Sequence, residues 1–325
     1  MKSISISRAK TFAACKLLYN YKYVNKFAPA EANTPAVTVK GLVLHETFES
    51  LLKYENYEGD VPKLPYRQAS EDVVKSTFKE MQTNNKLTDA QVEEFHLEIG
   101  VKRWLDFKHR YLDKNGHIMY AEKEYNEKLF GETTTITILD LLEDCGDGNF
   151  IIYDYKTPKS VDVNRYKEQL VLYAYTMACV KGIIEPGSEE FEKVANHFKL
   201  YVFFPLVWDN NKTPEEQPLD YESCLKAVSF TAKDVENVIK HLKDTCDEID
   251  AFDFSRPAEV LQPSKLSFQC SWCEYCGAAP QRELISANGR PFEGCPITHF
   301  CGKPALNEKF IAVQPYEKKV EETTN

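Results

Sequence analysis

Asp140, Asp154 and Lys156 are the residues of this chain whose types and spacing could do chemistry. They stand in two apolar runs, residues 135–142 and 149–156, with Gly146-Asp147-Gly148 between them. Two carboxylates can hold a hard divalent cation such as Mg²⁺ or Mn²⁺, which would polarise a phosphoryl oxygen and acidify a water. A neighbouring ammonium would orient that water or stabilise developing charge beside a phosphodiester. The elements that must position them are also legible. Both runs are rich in β-branched and aromatic residues, and the Gly-Asp-Gly triplet signals a hairpin turn. Side chains alternate along a strand, so Asp154 and Lys156 share one face while Tyr155 points to the other. With Asp140 on the adjacent strand, all three converge on one pocket. Taken alone, the three also fit two turn-flanking surface acids and a solvated lysine at a strand end.

Two further segments frame this pair. Upstream, Gly41 and His45 form a Gly-x3-His spacing, with His45 near the start of a helix expected over 42–53. Downstream, Gln169 and Tyr173 lie one turn apart on an amphipathic helix expected over 162–182. Between them, residues 121–125 form an acid-bearing strand with Glu122 and Glu124. In this order, and with a helix-like opening at residues 3–21 that carries Cys15, the chain resembles the RecB-type branch of the PD-(D/E)XK nucleases. That branch also includes AddAB-type, CRISPR-associated and phage exonucleases. The resemblance covers residues 3–276. It implies a restriction-endonuclease-like α/β fold, a mixed central sheet flanked by helices. It also implies that His45, Asp140, Asp154 and the Tyr155 carbonyl bind the divalent metal. Lys156 would be catalytic, Gln169 and Tyr173 would contact DNA or the active-site water, and Glu122 or Glu124 would be a supporting acid. Thr137 stands where that family often has glycine.

Cysteine is the second signal. The chain has ten in 325 residues, too scattered for a compact disulfide scaffold. No signal-peptide-like or membrane-spanning apolar stretch occurs, so reduced thiols in the cytoplasm and no membrane association are expected. Cys270, Cys273 and Cys276 form the dense cluster, and a C-x2-C turn aims two sulfurs at one metal. The resemblance implies a [4Fe–4S] cluster held by Cys15, Cys270, Cys273 and a fourth ligand. The family's spacing places that ligand at Ala279. Cys276 is the nearest substitute, with Cys295 or Cys301 as later ones. The alternative is zinc, for which Cys270, Cys273, Cys276, Cys295, His299 and Cys301 would suffice without Cys15. Cys145, Cys179, Cys224 and Cys246 read as small buried hydrophobes.

The net charge of −10 is unusual for a nucleic-acid binder, but its distribution is uneven. The first thirty residues carry six basic side chains and no acid, interleaved with Tyr19, Tyr21 and Tyr23. That could be a surface tracking a strand, or a basic helix with its tyrosines in the core. The expected organisation is a core over 1–265 with a helical insertion around 55–115. A cysteine-rich segment over 266–304 would pack with the N-terminal helix, and residues 316–325 would form a disordered tail. Helices are expected over 4–23, over two segments of 68–112 broken near 83–88, and over 231–249. Strands are expected near 117–129, 134–143, 149–156, 199–204 and 227–230. No Walker A pattern, nucleophile elbow or Rossmann glycine fingerprint is present. The expected function is a metal-dependent DNA exonuclease acting on single strands or ends in recombination and repair, possible in a phage setting. A helicase or recombination partner would supply any unwinding. The alternatives are a non-catalytic DNA-end-binding subunit of the same fold and a structure-specific endonuclease.

Overall fold

The computed structural model describes residues 3–30, 36–261, 270, 273–296 and 309–312. The chain divides into two units. The first comprises Met1–Ile6 and Thr34–Cys246, the second Ser7–Asn33 and Asp247–Asn325. The expected boundary near 265 therefore gives way to a division after Cys246, and residues 7–33 belong with the C-terminal segment. Cys301, His299 and residues 316–325 lie outside the described residues.

The first unit is a mixed α/β layer structure around a six-stranded sheet. Ile118–Phe130 runs antiparallel to Thr133–Asp144, which runs antiparallel to Phe150–Tyr155. Phe150–Tyr155 pairs parallel with Phe198–Phe203, and Leu225–Ala227 closes that side antiparallel. Ser3–Ile4 adds a short parallel strand beside Thr134 and Thr135. The turn after Thr133–Asp144 works as its composition suggests: Gly146 and Gly148 both take left-handed φ, near +81° and +82°. The parallel step requires a crossover, which the helix Asn164–Val180 supplies.

Phe150–Tyr155 is buried at all six positions, as a strand covered on both faces must be. One face is covered by the helices Ala36–Asn56 and Leu97–Phe107. Their Val43, Leu44, Phe48, Val101, Trp104 and Phe107 pack with Leu141, Tyr153, Tyr155 and Phe203. Phe48 and Trp104 stack nearly parallel at 5.0 Å, and burying each such ring contributes about 1.5–3 kcal/mol. The crossover helix Asn164–Val180 is buried without a break from 170 to 178 and packs on the strands.

Three local expectations change. The His45 helix begins at Ala36 and runs to Asn56, so Gly41 and His45 lie within it. The segment 68–112 holds three helices, Glu71–Asn84, Asp89–Phe95 and Leu97–Phe107. They break near 85–88 and again at His96, whose φ is +56°. The continuous helix expected over 4–23 is instead a strand, Ser3–Ile4, and a helix, Ile6–Ala14, that stops at Cys15. Cys15 is extended, and its sulfur accepts the Leu18 N–H at 3.3 Å to cap the next helix, Lys16–Tyr19.

In the second unit, Leu17, Tyr21, Phe27, Ala258, Leu261, Tyr275, Phe292 and Phe310 form one core. Tyr19 and Tyr21 are each 2% exposed. Of the two readings of the N-terminal tyrosines, the structure selects core packing for these two. The Tyr21 hydroxyl donates to the Gly294 carbonyl at 2.6 Å, which a tyrosine stacking on bases could not do.

Candidate active site

The central strand separates its two functional neighbours by alternation. Tyr155 turns into the core, where its hydroxyl accepts from Trp104 Nε1 at 3.3 Å and its ring meets the edge of Phe48. Asp154 turns towards the crossover helix. There Gln169 Nε2 donates to Asp154 Oδ1 at 3.5 Å and also to the Tyr173 hydroxyl one turn on. Lys156 Nζ stands 2.7 Å from Asp154 Oδ2 and 5.3 Å from the centre of the Tyr166 ring.

Asp140 is drawn to the same place by its register. Leu141 pairs with Tyr153, so Asp140 lies beside the end of the central strand, and its Oδ2 accepts the Tyr155 N–H at 2.5 Å. On its other side, the pairs Ala121 with Leu141 and Lys123 with Leu139 set Glu122 opposite Asp140. Glu122 has a φ of +43°, a region that a residue with a Cβ adopts only at a cost. Glu124 is exposed and takes a hydrogen bond from Asn126, so of the two acids only Glu122 reaches the site. Thr137 is buried with its hydroxyl 3.2 Å from that of Thr176, away from these groups.

His45 completes the group from its helix. Its Nε2–H donates to the Tyr155 carbonyl at 3.1 Å, and its Nδ1 lies 3.5 Å from both Glu122 Oε1 and Asp140 Oδ1. His45, Glu122 and Asp140 each offer one ligand atom, all within 4.8 Å of one another. Glu122 Oε1 is buried and has only the long 3.5 Å approach of His45 Nδ1 to answer it. A buried carboxylate oxygen held so weakly is costly, and a closer cation would complete it. The donor set, two hard oxygens and an imidazole, fits a divalent metal. Asp154 is not a member of this group, but its charge couples to Asp140 and His45, and the Tyr155 carbonyl accepts from His45.

The charges are strongly coupled. Burial alone would lower the His45 pKa, but the charge of Asp140 and the bonds to Asp140 and Glu122 outweigh it and push it up to about 10. Burial raises Asp140, yet His45 and then Lys156 more than reverse this and hold it below the usual carboxylate range. Asp154 goes the other way, up to about 6. Burial dominates there, Lys156 opposes it and Asp140 adds to it. Glu122 is raised, chiefly by burial. Lys156 is lowered by burial but raised overall by Asp154 and Asp140, so it remains an ammonium. One face therefore presents a fixed ammonium beside an acid cluster that is short of cations.

In the second unit, Cys15, Cys270, Cys273, Cys276 and Cys295 come close enough to feel one another's charge. Burial first, then neighbours including Cys295 and Cys15, push Cys273 up to about 12 and Cys276 up to about 11. For Cys15, burial is again the main cause of a raised pKa, and Cys295 and Cys270 add to it. Among the described residues, the metal-type groups closing to within 4.8 Å include none of these thiols. Two groups that do close were not foreseen from the sequence: His117 with Glu143 and Cys145, and Glu55 with His109 and Asp113. Their members are separated by up to 58 residues with no motif spacing, so no local signal announces them.

A mixed sheet with an acid pair and a lysine at its central strand end is the architecture of a nuclease core. A family model described as PD-(D/E)XK nuclease superfamily matches residues 3–279. The chain belongs to the PD-(D/E)XK nuclease superfamily. The family's chemistry is metal-dependent nucleic-acid cleavage, and its fold is the mixed central sheet described above. Solved structures similar to the chain include one described as "Crystal structure of SSO0001". It is 14% identical, with 82% of this chain and 91% of that chain covered and a TM-score of 0.30. Among curated proteins, none matches the chain. No helix among the described residues is long and apolar enough to cross a membrane.

Proposed function

We propose that this protein is a divalent-metal-dependent DNA exonuclease that acts on single-stranded DNA or DNA ends, in recombination or repair. The observation that carries the reading is the convergence of His45, Glu122 and Asp140 ligand atoms within 4.8 Å, set beside the Asp154–Lys156 pair. His45, Asp140, Asp154 and the Tyr155 carbonyl would hold Mg²⁺ or Mn²⁺, with Glu122 beside them. The cation, when bound, supplies Lewis-acid polarisation of the scissile phosphate and a more acidic water. Lys156 places a fixed positive charge where negative charge develops on the phosphoryl oxygens. Gln169 orients the Asp154 carboxylate and the Tyr173 hydroxyl, which leaves both aimed into the pocket. The test is Mn²⁺- or Mg²⁺-dependent release of nucleotides from end-labelled DNA. Lys156→Ala is expected to slow it by about 10²–10³-fold, and closed circular DNA should stay intact. Equal rates for wild type and Lys156→Ala would defeat the enzyme reading, and cutting of closed circles would make the activity endonucleolytic.

The same reading assigns the second unit's thiols to a [4Fe–4S] cluster, with Cys15, Cys270 and Cys273 as three ligands and Cys276 or Cys295 as the fourth. A single tetrahedral zinc with bonds of about 2.3 Å would draw its sulfurs to within about 3.8 Å of one another. The charge coupling of Cys15 to Cys270, Cys273 and Cys295 supports a site that includes Cys15, which the polynuclear cluster needs and a zinc held by the C-terminal cysteines does not. Its contribution when bound is a covalent tie between distant segments of the chain. Iron and zinc analysis of anaerobically purified wild type, Cys276→Ala and Cys295→Ala tests this. A brown protein that loses iron in one of the two variants fixes the fourth ligand, and stoichiometric zinc overturns the cluster.

A further inference from the structure

Beyond Lys156, a second set of side chains gathers. The chain runs through Thr157 to Lys159, whose carbonyl accepts the Trp208 N–H at 3.1 Å. The Trp208 indole stacks on the His96 imidazole, with centroids 4.2 Å apart and planes 18° from parallel. Lys159 Nζ lies 5.1 Å from the indole centre. On the His45 helix, a Cβ at Gly41 would lie 3.4 Å from the Thr157 hydroxyl, so this helix passes close to the same segment. The residue before it, Lys40, holds its ammonium 5.5 Å from the Phe95 ring. Lys40 thus stands five residues before His45 and Lys159 three residues after Lys156, with the aromatic pair held beside Lys159.

The charge of this cluster is one-sided. No ion pair joins Lys40 or Lys159 to a carboxylate among the described residues, whereas Lys156 and Lys167 each have one within 3.0 Å. Burial, and then the charge of Lys159, lower the Lys40 pKa. The same two causes lower His96, with Glu93 opposing, which favours the neutral ring suited to stacking. His96 also holds its left-handed backbone at the junction of two helices, a costly conformation that aims its ring at Trp208. Like charges kept together without a counter-ion are completed by an anion. A half-exposed aromatic pair beside them offers a flat apolar face to a planar group.

We propose that Lys40, Lys159, His96 and Trp208 form a track for a single strand of DNA leading to the catalytic centre. A phosphate would sit at the exposed Lys159 ammonium, with the charge of the largely buried Lys40 behind it, and a base would stack against the His96–Trp208 pair. This rests on the nuclease reading and adds to it where the strand lies and that it is single. Grooves for unpaired strands combine cations that follow the backbone with aromatic rings for the bases, and paired bases cannot stack on a protein ring without leaving the duplex. With a net charge of −10 the chain has little general attraction for DNA, so local cations must supply it.

The experiment is anisotropy of a fluorescent oligothymidylate, and of a blunt duplex of equal length, with the metal-free full chain across a salt series. Trp208→Ala should weaken oligothymidylate binding about tenfold. Lys159→Ala should weaken it less and flatten the salt slope by about 0.7. Trp208→Phe, which keeps a ring in place, should restore most of the affinity and shows that the alanine loss is not misfolding. Lys159 is exposed, so its removal leaves packing intact. Unchanged affinity and slope in Lys159→Ala, together with unchanged affinity in Trp208→Ala, would overturn the track. So would equal losses for the duplex. Mn²⁺-dependent hydrolysis of bis(p-nitrophenyl) phosphate by wild type tests the catalytic centre separately, because that ester needs no strand. Hydrolysis with unaltered DNA binding in the variants removes the track alone. Binding through these residues without hydrolysis removes the nuclease reading alone.

Discussion

The same two strands, Ile118–Phe130 and Thr133–Asp144, help to build two histidine–carboxylate groups that differ in one respect. At the first, the buried Glu122 Oε1 is approached only by His45 Nδ1, at a long 3.5 Å. At the second, three residues beyond Asp140, Glu143 is held on both oxygens. Its Oε1 accepts from His117 Nδ1 at 2.6 Å and Asn115 Nδ2 at 2.9 Å, and its Oε2 accepts from the Tyr153 hydroxyl at 2.6 Å. In both groups the candidate ligand atoms lie within 4.8 Å of one another. Proximity of suitable atoms is therefore a poor guide to a metal site, and unsatisfied valence is a better one. A carboxylate gripped by three fixed donors at 2.6–2.9 Å would have to loosen them before it could accept a cation.

The sharpest way to break this contrast is to titrate Mn²⁺ calorimetrically into paired variants. Asp140→Asn and Glu122→Gln should each weaken Mn²⁺ binding by at least about a hundredfold, while Glu143→Gln should leave it unchanged. A loss of Mn²⁺ affinity in Glu143→Gln would erase the distinction. The next effect is pH dependence. His45 carries a proton up to about pH 10 in the metal-free protein, and that proton must leave before its nitrogen can bind a cation. Mn²⁺ affinity should therefore rise with pH by up to about tenfold per unit below that value. Binding between pH 6 and 8 measures it, and a flat profile would remove His45 from the ligand set. The smallest effect is on stability. Glu143→Gln weakens hydrogen bonds to a fully buried carboxylate and should cost about 1.5–3 kcal/mol in denaturant unfolding.

Much of the candidate site was legible because strand alternation and turn chemistry act locally. Asp140, Asp154 and Lys156 announce themselves through two apolar runs and a glycine turn, and the helical spacing of Gln169 and Tyr173 needs no tertiary information. Glu122 was legible only as one of two acids. What separates it from Glu124 is a left-handed backbone at one residue, which no pattern of residue types encodes. The His96–Trp208 pair joins positions 112 residues apart, and neither belongs to a motif. Tyr19 and Tyr21 were ambiguous for a related reason. Whether a tyrosine among lysines faces solvent depends on partners such as Phe254 and Phe292, which arrive from the far end of the sequence. Helix continuity across Cys15 misled because no proline or glycine marks the break, and the sulfur itself provides the cap.

The hydrogen bond from Tyr21 to the Gly294 carbonyl spans 273 residues of sequence. During synthesis Tyr21 and Phe27 leave the ribosome long before the segment that buries them exists. The first unit has nearly all of its strands and helices by Cys246 and can fold while the chain is still growing. The second must wait, with an aromatic N-terminal segment exposed for most of the elongation time. Such late closure between remote segments is slow and open to aggregation. Yield of intact protein should accordingly depend on how quickly the last eighty residues follow, which makes translation rate and chaperone supply as much a part of this fold as its packing.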